Sequence, residues 1–156
     1  MWKLLFFLAA IPILILVNFY FRYKTYKSMG KALKKKRWKK LTKEEYAKRC
    51  YHFIADRYTK MNRCWLKYPL RNMYLRNIWK FKGESIPCLI ENALFQRCLL
   101  KRFEKSEVKT VLCRHFRQGI YIHFYSRVKL RGRWVDVDVW GKKWGIPFGG
   151  NIYHLK

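Results

Sequence analysis

Between Ile120 and Val139 apolar and polar positions alternate in two runs separated by a short polar gap. Ile120, Ile122, Phe124, Ser126 and Val128 alternate with Tyr121, His123, Tyr125, Arg127 and Lys129. Val135, Val137 and Val139 then alternate with Trp134, Asp136 and Asp138. A period of two, interrupted by Arg131-Gly132, predicts a β-hairpin with a two-residue turn. Such a turn pairs Leu130 with Arg133, and so Tyr125 with Asp138. His123 and Asp138 become diagonal neighbours on one face, roughly 7–8 Å apart at the backbone. An odd-length loop or a bulge would send them to opposite faces.

Upstream the period changes to that of helices. Thr42 with Glu45 three residues later forms a capping box, followed by an apolar stripe of Tyr46, Cys50, Phe53 and Ile54 that runs on to Arg57-Tyr58. Asn62 to Pro69 reads as a break. A second helix is expected over Leu70–Trp79, with Met73, Tyr74, Ile78 and Trp79 as its buried positions. Gly83 marks a turn, and Ser85 as N-cap and Pro87 in the first turn open a third helix around Cys88. Leu89, Ile90, Ala93, Leu94, Cys98 and Leu100 supply its apolar face. Val108 to Cys113 reads as a strand and Arg114 to Gly119 as a loop. The glycine-rich tail after Trp140 reads as irregular. The fold class is therefore α+β. With no repeats and no Gly/Ser linker, the globular region is a single unit beginning near Leu41.

The beginning of the chain differs. Leu4 to Phe21 contains no charged residue, and Arg22 to Arg49 then carries thirteen Lys/Arg against Glu44 and Glu45. The pattern predicts a transmembrane anchor over 1–21, a basic juxtamembrane segment over 22–40 and a globular domain over 41–156. It also predicts a single-pass protein with its N-terminus outside and the domain cytoplasmic. Tyr20, Phe21, Tyr23, Tyr26 and Trp38, interleaved with Lys24–Lys40, suit anionic membrane lipids. The whole-chain balance of 36 Lys+Arg to 9 Asp+Glu, formally +27, requires an anionic partner of some kind. Nucleic acid is the less favoured one, because the basic run abuts the apolar stretch. Five cysteines without regular spacing point to free thiols in a reducing compartment.

The candidate chemistry is nucleophilic. Cys88 sits in the first turn of its helix, where unpaired N–H groups and the helix dipole favour a thiolate. His123 is the candidate base and Asp138 the carboxylate that orients it. Oxyanion donors would be the Cys88 backbone N–H, with Asn77 or Trp79 as weaker candidates. Cys50, Cys64, Cys98 and Cys113 read as small buried thiols. His115, in the expected loop, is a rival base without a carboxylate, and Asp136 opposite Arg127 reads as a structural ion pair. Trp140, Trp144 and Phe148 read as a core lid rather than a groove wall. Cys50-x-His52 and Cys113-x-His115 have no second pair at zinc spacing, so no metal is expected. No cofactor motif is present either.

From Gly83 to Trp140 the chain resembles the transglutaminase-like branch of the papain-like cysteine proteases. The likeness rests on Cys88 at the start of an apolar helix containing Ala93 and Leu94. It rests also on the run HFYSRVKLRGRWVDVD beginning at His123, and on Asp138 fifteen residues after it. The resemblance implies a transglutaminase-like fold, in which N-terminal helices and a Cys-bearing helix pack on an antiparallel sheet. It implies hydrolysis or acyl transfer at peptide or protein amide bonds through Cys88, His123 and Asp138. A catalytically silent scaffold of the same fold, binding a peptide partner, is the alternative, and a basic nucleic-acid binder ranks third. Oligomeric state is not readable from the sequence.

Overall fold

The computed structural model describes residues 2–36, 38–59, 76–80, 82–83, 86–115 and 121–151. Among the described residues three α-helices, α1 (Trp2–Lys34), α2 (Lys43–Ala55) and α3 (Cys88–Leu99), accompany an antiparallel sheet in the order β1 (Val108–His115), β2 (Tyr121–Leu130), β3 (Arg133–Val137). The α+β class read from the sequence holds at this level. The helix expected over Leu70–Trp79, with Met73 and Tyr74, lies mostly outside the described residues, as do Cys64 and Ser85. Its last residues fall in a 3₁₀ turn, Ile78–Lys80, with Ile78 and Trp79 buried.

The hairpin folds in the expected register, Leu130 opposite Arg133 and Arg127 opposite Asp136. Arg131 and Gly132 both adopt positive φ, 49° and 81°. This is the backbone that lets a two-residue turn match the twist of its strands. Ser126, Val128 and Leu130 of β2 and Val137 of β3 are buried, and α3 packs over this face. Gln96 donates to Thr110 Oγ1 at 2.8 Å and to Ser126 Oγ at 3.1 Å, while Ser126 donates to Asn92 Oδ1. The opposite face carries the Arg127–Asp136 pair at 2.6 Å and Lys109 over the Trp134 ring at 4.4 Å. β1 runs on to His115, opposite Tyr121, where the sequence reads as a loop from Arg114.

α2 begins at the capping box: Thr42 Oγ1 accepts from Glu45 N–H at 3.2 Å, and Glu45 accepts from Thr42 N–H at 2.8 Å. Its inner stripe of Tyr46, Ala47, Cys50, Tyr51 and Ile54 joins Ile90, Leu94, Phe95, Cys98 and Leu99 of α3 in one core. Each large side chain buried there contributes about 1.5–3 kcal/mol. Two expected core positions, Leu89 in α3 and Leu100 at its C-cap, are exposed, and Phe95 and Leu99 take their place.

The N-terminal segment departs most from expectation. Among the described residues no helix is long and apolar enough to cross a membrane, which overturns the single-pass, N-terminus-outside arrangement. The physical reason is continuity. α1 is one helix of 33 residues whose apolar stretch passes without a break into Arg22, Lys24 and Lys27. Its later turns belong to the fold. Thr25 and Met29 are buried, Ile78 N–H donates to Thr25 Oγ1 at 3.1 Å, and Asn77 donates to Ser28 Oγ at 3.0 Å. Trp38, expected along lipid headgroups, instead meets Tyr46 and Phe53 edge-on at 5.9 and 5.6 Å.

Candidate active site

Pro87 is the N-cap of α3, in extended conformation and with no side-chain cap bond, so Cys88 is the first helical residue. Ile90 and Glu91 N–H both reach the Pro87 carbonyl at 3.0 Å, and the Cys88 thiol is half-buried. The N–H groups of the first two helical residues, Cys88 and Leu89, precede those bonds and have no carbonyl within the helix to bond. A thiol at this point therefore has backbone donors beside it.

His123 stands opposite Cys113 on β2. β3 ends at Val137, opposite Ser126, so His123 lies in a stretch where only β1 and β2 pair. The room beside it is taken by the chain that follows β3. His123 Nε2 meets Asp138 Oδ2 at 2.8 Å, with the two side chains 7% and 0% exposed. The Trp140 ring lies 5.3 Å from the imidazole, tilted by 52°. Asp138 is itself fixed: its Oδ1 accepts from Gly141 N–H at 2.8 Å and its own N–H donates to the Gly150 carbonyl at 3.3 Å. Asp138 thus enters from just beyond the strand rather than from a β3 ladder position.

Burial alone would push the His123 pKa down. Hydrogen bonds with Asp138 and Cys88, and the charges of both, outweigh it and push the pKa up to about 9. Of the three residues singled out in the sequence, His123 and Asp138 are therefore in direct contact, and Cys88 is close enough to raise the His123 pKa.

Around them lie groups that sequence patterning missed. Glu91, one turn after Cys88, and Lys143 in the tail form an ion pair at 2.8 Å with side chains 0% and 3% exposed. Burial pushes Glu91 up to about 8, although Lys143 and His123 pull it down; Asp138 adds to the rise. Glu91 was legible only as a charge inside an apolar helix, at i+3 from Cys88 and thus on its face. Lys143 had no signal, since its burial depends on how the tail folds. The tail is not irregular: Trp140–Trp144 forms a 3₁₀ helix closed by Gly145 at φ 80°. It is pinned by Tyr51 Oη donating to the Ile146 carbonyl at 2.5 Å and by Lys142 bonding Asp56. Of the tail aromatics, Trp140 lies against the His123 ring, Phe148 packs on the core edge-on to Tyr51 at 5.7 Å, and Trp144 is exposed.

The weaker candidates are committed elsewhere. Asn77 bonds Ser28, and Trp79 lies between Phe53 at 5.2 Å and the Arg57 guanidinium at 4.1 Å. Asp136 pairs with Arg127 as expected. Cys50 faces the core while His52 faces solvent, which separates that Cys-x-His pair. Among the described residues no cluster of metal-ligating side chains occurs. Two open hollows of about 590 and 550 Å³ flank the Arg131–Gly132 turn, and neither is lined by Cys88, His123 or Asp138. No family model, no curated protein and no solved structure matches the chain.

Proposed function

We propose that this chain is a cysteine hydrolase or acyltransferase of the transglutaminase-like kind, acting on peptide or protein amide bonds. The observation that carries the reading is the position of His123, bonded to a fully buried Asp138 at 2.8 Å and near enough to the half-buried Cys88 for that thiol to raise its pKa. In the proposed reaction His123 takes the Cys88 proton, and Asp138 holds the resulting imidazolium. The thiolate adds to the amide carbonyl, and the Cys88 N–H at the start of α3 donates to the oxyanion. The imidazolium returns its proton to the leaving amine, leaving a thioester on Cys88. His123 then takes a proton from water or from an acceptor amine, which attacks the thioester and restores the thiol.

The test is alkylation of the native protein by iodoacetamide near neutral pH, followed residue by residue. Cys88 reacts fastest, and His123→Ala slows it at least tenfold while leaving Cys113 unchanged. Similar rates for Cys88 and Cys113, insensitive to His123→Ala, would overturn the catalytic reading in favour of a silent scaffold.

For α1 we propose contact with an anionic lipid surface, lying along it rather than through it. Lys24 sits over Tyr20 at 5.2 Å and Lys27 over Tyr23 at 5.6 Å, and Ile15, Leu16 and Phe19 on the preceding turns are exposed. Cations stacked on exposed rings beside apolar side chains suit an interface between headgroups and acyl chains. The protein should co-sediment with phosphatidylserine vesicles, less so at high salt. Equal recovery without vesicles would end the lipid proposal.

A further inference from the structure

Cys50, midway along α2, and Cys98, in the last turn of α3, are 48 residues apart in sequence, yet their sulfurs face each other at 2.7 Å. Both residues are fully buried. The contact lies where the two helices pack, beside Tyr46, whose hydroxyl donates to the Cys98 carbonyl at 3.1 Å. Two sulfurs at this range are within about 0.7 Å of a covalent S–S bond of ~2.05 Å. Burial, followed by the neighbouring Cys98 thiol, pushes the Cys50 pKa far up. A buried pair held as thiols has no evident acid–base use.

We propose that Cys50 and Cys98 form a disulfide that staples α2 to α3 when the chain folds in an oxidising environment, with Cys88 left as a thiol. The oxidant is a low-molecular-weight disulfide such as glutathione disulfide. One cysteine, as thiolate, attacks it and forms a mixed disulfide with loss of one glutathione thiolate. The second cysteine attacks the protein sulfur of that mixed disulfide and expels the other glutathione. Two protein thiols lose two protons and two electrons, and the oxidant is reduced to two thiols. Since the folded core suppresses the thiolate and shields both sulfurs, exchange takes place before α2 and α3 close on each other. The staple is thereafter out of reach of mild reductants. This inference stands apart from the hydrolase reading and would survive its failure.

The experiment refolds the full chain in a glutathione redox buffer and, in parallel, in excess dithiothreitol. Each sample is denatured without reduction, alkylated with iodoacetamide and mapped by mass spectrometry. Of the five cysteines, three are alkylated after oxidative refolding and all after reductive refolding, and one linked peptide pair joins Cys50 to Cys98. The Tm of the oxidised form exceeds that of the reduced form by on the order of 5–10 °C. Cys88→Ser and Cys113→Ser variants, which keep the pair, form the same linkage. Five alkylated cysteines after oxidative refolding, or a linkage that includes Cys88, Cys64 or Cys113, would overturn the proposal.

Discussion

Gly141 has no room for a methyl group. A Cβ there would lie 2.7 Å from Cγ and Oδ2 of Asp138 and 2.9 Å from Ile146 Cγ1, and the residue's N–H already holds the Asp138 carboxylate. Gly141→Ala therefore displaces the acid that orients His123. Denaturant melts should show a loss of about 1–3 kcal/mol, and an NMR titration should show the His123 pKa falling from about 9 toward its ordinary 6.5. The same raised pKa sets a pH window. Native His123 holds its proton up to about pH 9, whereas the unfolded side chain loses it near 6.5. The stabilisation is complete below 6.5 and is lost as pH rises through 9. Stability read from urea midpoints should fall between pH 6.5 and 9, by on the order of 3 kcal/mol from His123 alone. His123→Gln should flatten that portion of the slope. His123 was legible from the alternation of β2, and Asp138 from its place directly after β3, although it reaches the imidazole from beyond the last ladder position. Glu91 and Lys143 were not, because nothing local in their surroundings announces a buried charge pair.

At the scale of elements, the hairpin was the most readable, since turn chemistry and alternation agree. Arg131 is its one strained choice, at φ 49°. Arg131→Asn suits a left-handed turn position better and should raise the unfolding free energy by about 0.5–1 kcal/mol, measured by equilibrium denaturation. The capped start of α2 was equally plain, and Thr42→Ala should cost about 1 kcal/mol in the same assay. α3 was harder to read. Its apolar residues extend around most of the helix, so sequence periodicity did not separate Leu89 and Leu100, which are exposed, from Phe95 and Leu99, which are buried. The tail was misread for a different reason. Its glycines and proline argue against regular structure, yet the 3₁₀ helix is held by partners far away in sequence, among them Tyr51, 95 residues before Ile146.

At the scale of the whole molecule, the reading of α1 by hydropathy treated a continuous helix as an anchor followed by a linker. Hydropathy reports on the apolar stretch alone and says nothing of Thr25 and Met29, which are buried against the 3₁₀ turn and α3 side of the domain. A chain trimmed to begin at Leu41 loses that cover and two hydrogen bonds to α1, and should be less stable by about 3–5 kcal/mol. One trimmed to begin at Tyr20 should keep the full-length Tm, as scanning calorimetry would show. The fastening of Asp138 by Gly141 and Gly150 bears on how the protein is made. A ribosome synthesises Cys88 and His123 before Asp138 and the residues that fasten it, so the growing chain at first carries a thiol and an imidazole without the carboxylate. On the proposed reading, a nascent chain would therefore stay inert until its last residues had left the ribosome and closed on the imidazole.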